Sequence, residues 1–137
     1  MDRLMGNDSE TAYDRSGRAG LMQKETSVSN MVDRESFARE MNLDDEIIRE
    51  LYGYFAEELR EDITHLAEIA GLADRLAYAH CIHKIKGTSS SYKACELAEL
   101  AKQADAFCKQ EEWDRAFSLS GAVLSAADDV LKELERI

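Results

Sequence analysis

Apolar residues recur every three or four positions from Asp33 to the end of the chain, which is the spacing of an amphipathic helix. The longest such segment opens with the acids Asp44, Asp45 and Glu46, which suit a helix N-terminus because they complement its dipole. Its apolar stripe consists of Ile47, Ile48, Leu51, Phe55, Leu59, Ile63, Leu66 and Ile69. Gly71 is predicted to end this helix.

Four further segments follow the same spacing. A short helix is predicted after Val32, with Asp33 as its N-cap. Three longer helices are predicted at about residues 74–92, 97–108 and 113–137. The polar links between the segments are short, so consecutive helices are expected to pack as antiparallel neighbours.

No stretch competes as a strand, and the chain contains no proline, which long helices tolerate badly. The pattern therefore predicts an all-α fold, an antiparallel up-down four-helix bundle with a short extra N-terminal helix. Residues 1–30 show no apolar period and are predicted to form a flexible tail ahead of a bundle domain at residues 31–137. A second interpretation, which the sequence leaves open, takes Met31 as the natural start and the preceding residues as an artefact of translation or annotation.

The chain of 137 residues has 28 acidic and 17 basic side chains, which gives a formal net charge of −11. This charge argues against binding to nucleic acid or to an anionic membrane surface. No apolar run approaches the ~18 residues of a membrane helix, and the first residues lack the apolar core of a secretion signal. The three cysteines form no CxxC pair and are interpreted as reduced thiols, so a cytoplasmic protein is expected.

The charge is unevenly distributed along the chain. No acidic residue occurs between Asp74 and Glu96, a segment that we call the basic stretch. Its basic residues are Arg75, Lys84, Lys86 and Lys93. A run of positive charge in an otherwise acidic chain would complement a partner's acidic pocket or a phosphoryl group.

Steps of three and four residues place one row of side chains from the basic stretch on a single helix face. The row consists of His80, His83, Lys86, Gly87 and Ser90. A neutral, exposed imidazole has a lone pair that can accept a phosphoryl group, and Lys86 can offset charge on the transferred oxygens. Glycine costs ~1 kcal/mol in a helix relative to alanine, but Gly87 leaves no Cβ to obstruct a partner that approaches His83.

Residues 83–89, His-Lys-Ile-Lys-Gly-Thr-Ser, resemble the H-x-x-K-G-x-S signature of histidine-containing phosphotransfer (HPt) domains. The resemblance covers about Asp33 to Ile137. It implies a phosphorelay intermediate in which His83 is phosphorylated on a ring nitrogen, Nε2. The phosphoryl group would be exchanged with the aspartate of a response-regulator receiver domain.

The resemblance also implies roles for the neighbours of the histidine. Lys86 would stabilise the phosphoryl group, Gly87 would permit close approach, and Lys84 would help to dock the receiver. Ser89, at the small polar position of the signature, and the adjacent Ser90 complete the predicted phosphoryl-stabilising or docking residues.

One position departs from the family pattern. Lys93, followed by Ala94, takes the place of a glycine that usually follows the signature. The turn between the third and fourth helices is therefore expected to be tighter or more helical than in the family.

The expected protein is a phosphocarrier and not an enzyme, because no P-loop, kinase glycine loop or other nucleotide site is found. Phosphoryl transfer with aspartate needs Mg²⁺ held by carboxylates, and the basic stretch has no carboxylate side chain. We therefore expect no cofactor of its own, with Mg²⁺ supplied by the receiver. The expected partners are receiver domains and a sensor (hybrid) histidine kinase, and the expected state is a monomer.

Two alternatives belong to other functional classes. In the first, the chain is a non-catalytic adaptor whose basic face docks an acidic partner. In the second, it is a metal-binding bundle with Asp62, His65, His80 and His83 as ligands, although the paired E-x-x-H motifs of di-iron bundles are missing. His80 lacks Lys and Gly at the signature offsets, and a structural or modulating role is favoured for it.

Overall fold

The computed structural model describes residues 31–137. The tail predicted at residues 1–30 lies outside this range, and so do the residues that a natural start at Met31 would exclude. Residues 31–137 form one compact unit without strands, which confirms the all-α prediction for this part of the chain. The helices in this part are α1 (Arg34–Met41), α2 (Asp45–Leu72), α3 (Arg75–Ser91), α4 (Cys95–Lys109), α5 (Trp113–Ser118) and α6 (Ser120–Leu134). No helix among these residues is long and apolar enough to span a membrane.

The helices enclose a single apolar core. Helix α2 packs against α3 and α6, and α4 packs against α3, α5 and α6. The largest fully buried side chains are Val32, Tyr52, Phe55, Leu59, Leu66, Tyr78, Ile82, Ile85, Leu97, Val123 and Val130. Burial of these stripes against one another supplies most of the stabilisation of such a bundle.

Contacts between α2 and α3 show the relative direction of these two helices. The Tyr52 hydroxyl, early in α2, donates to the carbonyl oxygen of Tyr92 at the end of α3, 3.3 Å away. Farther along α2, Asp62 accepts a hydrogen bond from Lys84 in the middle of α3. Later positions in α2 therefore meet earlier positions in α3, so the two helices run antiparallel.

Two aspartates fix the starts of helices through local hydrogen bonds. The Asp33 carboxylate accepts from the backbone N–H of Ser36 at 3.1 Å, which confirms Asp33 as the N-cap of α1. The Asp74 carboxylate accepts from the backbone N–H of Ala77 at 3.2 Å and caps α3. Each cap satisfies one of the amide groups that a helix leaves unpaired at its first turn.

The prediction that Gly71 ends α2 was wrong. The helix continues to Leu72, and Ala73 adopts the left-handed conformation with φ 53°, from which its N–H bonds to Ala70. Asp74 then starts α3 at once. The end of α2 is thus set by the cap of the next helix and not by the glycine, which is exposed within the last turn.

The predicted last helix, at residues 113–137, is divided into α5 and α6 by Leu119. The buried Tyr78 hydroxyl donates to the carbonyl oxygen of Ala116 at 2.7 Å and lies 3.0 Å from the Ser120 hydroxyl. The N–H of Leu119 bonds to the same Ala116 carbonyl in a tight turn. A side chain from α3 therefore interrupts the regular ladder, which the apolar period of the segment itself could not reveal.

The turn between α3 and α4 contains Lys93, the position at which the sequence departs from the family pattern. Lys93 adopts the left-handed conformation, φ 65°, which glycine occupies most easily. The N–H of Ala94 then bonds to the carbonyl of Ser89 at 2.8 Å. The Lys93 ammonium lies 3.1 Å from the carboxylate of Glu40 in α1. The backbone carbonyl of Lys93 accepts a hydrogen bond from the N–H of Asp33, the N-cap of α1, so α1 holds the turn in place.

Replacement of Lys93 tests the strain at this turn. Lys93→Gly is expected to have a free energy of unfolding about 1 kcal/mol higher than Lys93→Ala, because only glycine adopts this conformation without strain. Both variants lack the ion pair with Glu40, so their difference isolates the backbone effect. Urea denaturation followed by circular dichroism measures it, and an alanine variant as stable as the glycine variant would contradict the assignment.

Candidate functional site

His83 lies in the middle of α3 with 63% of its side chain exposed to solvent. The opposite face of the same helix carries Tyr78, Ile82 and Ile85, which are completely buried. These side chains fix the rotation of α3 about its axis. The helix therefore presents His83 outward from a firmly anchored position.

One ring nitrogen of His83 faces a buried carboxylate. Nδ1 lies 3.4 Å from Oδ1 of Asp105, a residue of α4 whose side chain is only 6% exposed. The other ring nitrogen, Nε2, makes no hydrogen bond to the described residues. A proton on Nδ1 that faces Asp105 leaves the lone pair on Nε2, on the side away from the carboxylate.

Two lysines share the second oxygen of the same carboxylate. Oδ2 of Asp105 accepts from Nζ of Lys86 at 2.8 Å and from Nζ of Lys109 at 2.9 Å. Lys86 comes from α3, and Lys109 lies one turn after Asp105 in α4. We call these three residues, together with His83, the Asp105 cluster.

The cluster keeps Asp105 ionised. Burial by itself would raise the pKa of this carboxyl group, but the hydrogen bonds from Lys86 and Lys109 and the nearby positive charge lower the pKa to about 2. In turn, the hydrogen bond to Asp105 raises the pKa of Lys109. Asp105 is therefore a fixed negative charge beside the histidine throughout the physiological pH range.

Lys84 is held on the other side of α3. Its ammonium lies 2.8 Å from Oδ1 of the buried Asp62 and 3.3 Å from Glu58, both of α2. The hydrogen bond to Asp62 raises the pKa of Lys84. The structure thus gives Lys84 a contact between helices that the sequence did not predict, beside its expected docking role.

The basic stretch does not form an isolated basic surface, so that interpretation of the sequence was wrong. Lys84, Lys86 and Lys93 each pair with a carboxylate of another helix. A charge count along one segment omits the acids that the fold brings beside it. Electrostatic support for an adaptor that docks through a basic face is correspondingly reduced.

The predicted positions beyond the histidine differ in their accessibility. A Cβ added at Gly87 would meet no atom within 4 Å, so the surface one turn after His83 is open. Ser90 is exposed. Ser89, however, is fully buried, and its hydroxyl donates to the Ile85 carbonyl within its own helix. Its inclusion among the docking residues is therefore corrected.

A groove of about 700 Å³ opens beside the histidine between α1, α2 and α3. His83, Lys84 and Gly87 line it from α3, while Met41 and Leu51 supply an apolar side. The apolar spacing of α1 did not predict that this helix would reach this surface. The arrangement combines an exposed imidazole with an apolar contact surface.

The ligands of the metal-binding alternative do not come together. The Asp62 carboxylate is bonded to Lys84. Among residues 31–137 there is no group of three or more His, Cys, Asp or Glu side chains placed to bind a metal ion. His80 and His65 are exposed and belong to no such group.

Asp105 is the residue of the candidate site that the sequence pattern did not predict. It interrupts the apolar stripe of α4, where Ala101, Ala104 and Cys108 are buried around it. A buried charge is strongly unfavourable unless it is paired. An acid inside an apolar stripe was therefore a signal that a cationic partner or a hydrogen-bond donor would meet it from a neighbouring helix.

Asp105→Asn is expected to lower the free energy of unfolding at pH 7 by about 2 kcal/mol, because the folded protein lowers the pKa of Asp105 from 3.8 to about 2. This contribution is complete above the unfolded pKa and disappears as the pH falls through the folded one. The wild type and the variant should therefore converge between about pH 4 and pH 2.

Urea denaturation across this pH range measures the difference. Asp128→Asn is the matched control, because Asp128 forms an exposed pair with Lys132 at the same i,i+4 spacing and should contribute little. A difference between the wild type and Asp105→Asn that stays constant over the range would contradict the assignment.

The family model of the Hpt domain matches residues 50–137, a range that includes His83, Lys86, Asp105 and Lys109. No curated protein and no solved structure gives a significant match. The match covers more than half of the chain and agrees with the all-helical structure. The chain therefore belongs to the Hpt domain family, whose members are phosphocarriers in the histidine phosphotransfer of two-component signalling.

Proposed function

We propose that this protein is a phosphorelay intermediate that accepts a phosphoryl group on Nε2 of His83. It would exchange this group with the aspartate of a response-regulator receiver domain. The observation that carries the proposal is the exposed imidazole whose Nδ1 faces the buried, ionised Asp105. Membership of the Hpt domain family supports it, since such domains interact with response regulators and histidine kinases.

The orientation of the ring suits it to act as a nucleophile. The Nε2 lone pair attacks phosphorus, the bond from phosphorus to the aspartyl oxygen breaks, and the receiver's carboxylate leaves. The proton stays on Nδ1, so the ring gains a positive charge. Asp105 lies 3.4 Å from that nitrogen and stabilises the charge. The reverse step restores the neutral imidazole.

Lys86 is placed to act on the phosphoryl oxygens. It lies one turn from His83, and 28% of its side chain is exposed. Its ammonium already stands within the Asp105 cluster, close to the ring. A small rotation of this side chain would direct one N–H toward a phosphoryl oxygen, where it would offset negative charge in the transition state.

The groove beside His83 is the docking surface in this proposal. Gly87 leaves room for a partner's backbone, and the exposed part of Met41 offers apolar area for burial. Mg²⁺ would be held by the receiver's carboxylates. Lys84 borders the groove with about half of its side chain exposed, so it can contact a partner while bonded to Asp62.

The remaining features of the proposal follow from this carrier role. An antiparallel up-down arrangement of the long helices would present His83 from the side of the bundle, and the observed direction of α2 and α3 supports it. The protein would need no nucleotide site, since a histidine kinase upstream supplies the phosphoryl group. We propose that it acts as a monomer in the cytoplasm.

Incubation with a phosphorylated receiver domain and Mg²⁺ tests the proposal. The wild-type protein is expected to take up label, and His83→Gln is expected to take up none, because the accepting nitrogen is removed. His80→Gln is the control, since His80 lies on the same face of α3 and should not be needed. Label that persists on His83→Gln, or its absence from the wild type, would refute the assignment.

Substitution of Gly87 separates docking from folding. Gly87→Gln is expected to leave stability unchanged or higher, because the site is open and glycine is unfavourable in a helix. The same side chain should hinder the receiver and slow transfer roughly tenfold or more, equivalent to about 1.4 kcal/mol. Rapid-quench transfer assays measure this.

Gly53→Gln is the matched control for this experiment. Gly53 lies inside α2, where an added Cβ likewise meets no atom within 4 Å, and it does not line the groove. It should gain similar stability and keep the wild-type transfer rate. Equal transfer rates for the two glutamine variants would show that the surface around Gly87 does not bind the receiver.

A further inference from the structure

Lys109 has no part in the proposed transfer step, yet it is bonded to the central carboxylate of the site. It lies in α4, one turn after Asp105, and 64% of its side chain is exposed. Its Nζ is 2.9 Å from Oδ2 of Asp105, the oxygen that also accepts from Lys86. Asp105 alone does not require two ammonium groups, since one already neutralises its charge.

The charge balance of the cluster changes when His83 is modified. With a neutral imidazole, the two lysines and Asp105 leave an excess of one positive charge. Phosphorylation adds about two negative charges on the phosphoryl oxygens and one positive charge on the ring. The cluster is then neutral with Lys109 and would carry a net negative charge without it.

Lys84 cannot readily supply this charge. Its ammonium is bonded to Asp62 and lies within 3.3 Å of Glu58, so two carboxylates already offset it. Lys109, by contrast, shares its carboxylate with Lys86 and extends from a mostly exposed position on a flexible four-carbon stem. Its ammonium and Nδ1 of His83 contact the two oxygens of the same carboxylate, that of Asp105.

We propose that Lys109 is a second phosphoryl-binding lysine, held on Asp105 while His83 is unmodified and transferred to the phosphoryl oxygens after phosphorylation. The inference rests on the proposed function, because it requires a phosphoryl group on His83. Asp105 then keeps Lys86 and the protonated ring as partners. In the unmodified protein, the carboxylate that orients the imidazole thus also holds Lys109 beside the site.

The test uses phosphoramidate, which needs no protein partner. Its P–N bond breaks, a bond forms from phosphorus to Nε2 of His83, and ammonia leaves while the proton stays on Nδ1. ³¹P NMR then follows the titration of the phosphoryl group. A bound ammonium favours the dianion, so Lys109→Ala is expected to raise the phosphoryl pKa by about half a pH unit or more.

Two further variants separate this role from a structural one. Lys109→Arg should keep the wild-type phosphoryl pKa, since it restores the positive charge. Lys132→Ala should also keep it, because Lys132 is as exposed as Lys109 and forms an i,i+4 pair with Asp128 on α6, outside the Asp105 cluster. A phosphoryl pKa in Lys109→Ala that equals that of Lys132→Ala would overturn the inference.

Asp105→Asn distinguishes direct contact from an effect through the carboxylate. If Lys109 binds the phosphoryl group, its replacement by alanine should raise the phosphoryl pKa in this background as well. An effect that vanishes there would overturn the inference, because Lys109 would then act only on Asp105. Failure of the wild type to form phosphohistidine at His83 would instead overturn the proposed function.

Discussion

The burial of one ionised carboxylate, that of Asp105, is the constraint on which the site depends. A charge inside a protein must be paired and hydrogen-bonded, so its presence compels donors to approach it. His83 and Lys86 from α3 and Lys109 from α4 meet at its two oxygens. The same interaction thus joins two helices, orients the imidazole and collects positive charge beside the exposed ring nitrogen.

A second buried carboxylate acts on the opposite side of α3. Asp62 of α2 binds Lys84, while Asp105 of α4 binds Lys86. Helix α3 is therefore fixed from both sides by charged hydrogen bonds as well as by its buried apolar face. The proposed transfer would require defined geometry between His83 and a partner, and a rigid support of this kind would provide it even though the imidazole itself is exposed.

The local features of the fold could be predicted from the sequence, because caps and apolar periods depend on residues close together in the chain. Asp33 caps α1, and the segments assigned to α2, α3 and α4 match the structure closely. The division of the last helix could not be predicted, because it depends on Tyr78 of α3, which is 38 residues from Ala116 in the chain. The error at the end of α2 is local, since the left-handed Ala73 and the Asp74 cap follow Gly71 directly.

In the candidate site, too, features that depend on nearby residues could be predicted, and features that depend on distant residues could not. The spacing of His83, Lys86 and Gly87 placed them on one exposed face, but the carboxylates that neutralise the basic stretch come from other helices. Asp105 lay within an apolar stripe, where its role depends wholly on what α3 presents to it. Spacing within one segment therefore indicates His83 more readily than Asp105, the residue that orients its ring.

The proposed chemistry requires that Asp105 hold the proton on Nδ1 and leave Nε2 to react. Long-range ¹H–¹⁵N correlation spectra of the histidine rings, recorded before and after treatment with phosphoramidate, test it most directly. His83 is expected to carry its proton on Nδ1, and the phosphoryl group is then expected on Nε2 of this residue. A proton on Nε2 in the unmodified ring, or a phosphoryl group on Nδ1, would contradict it.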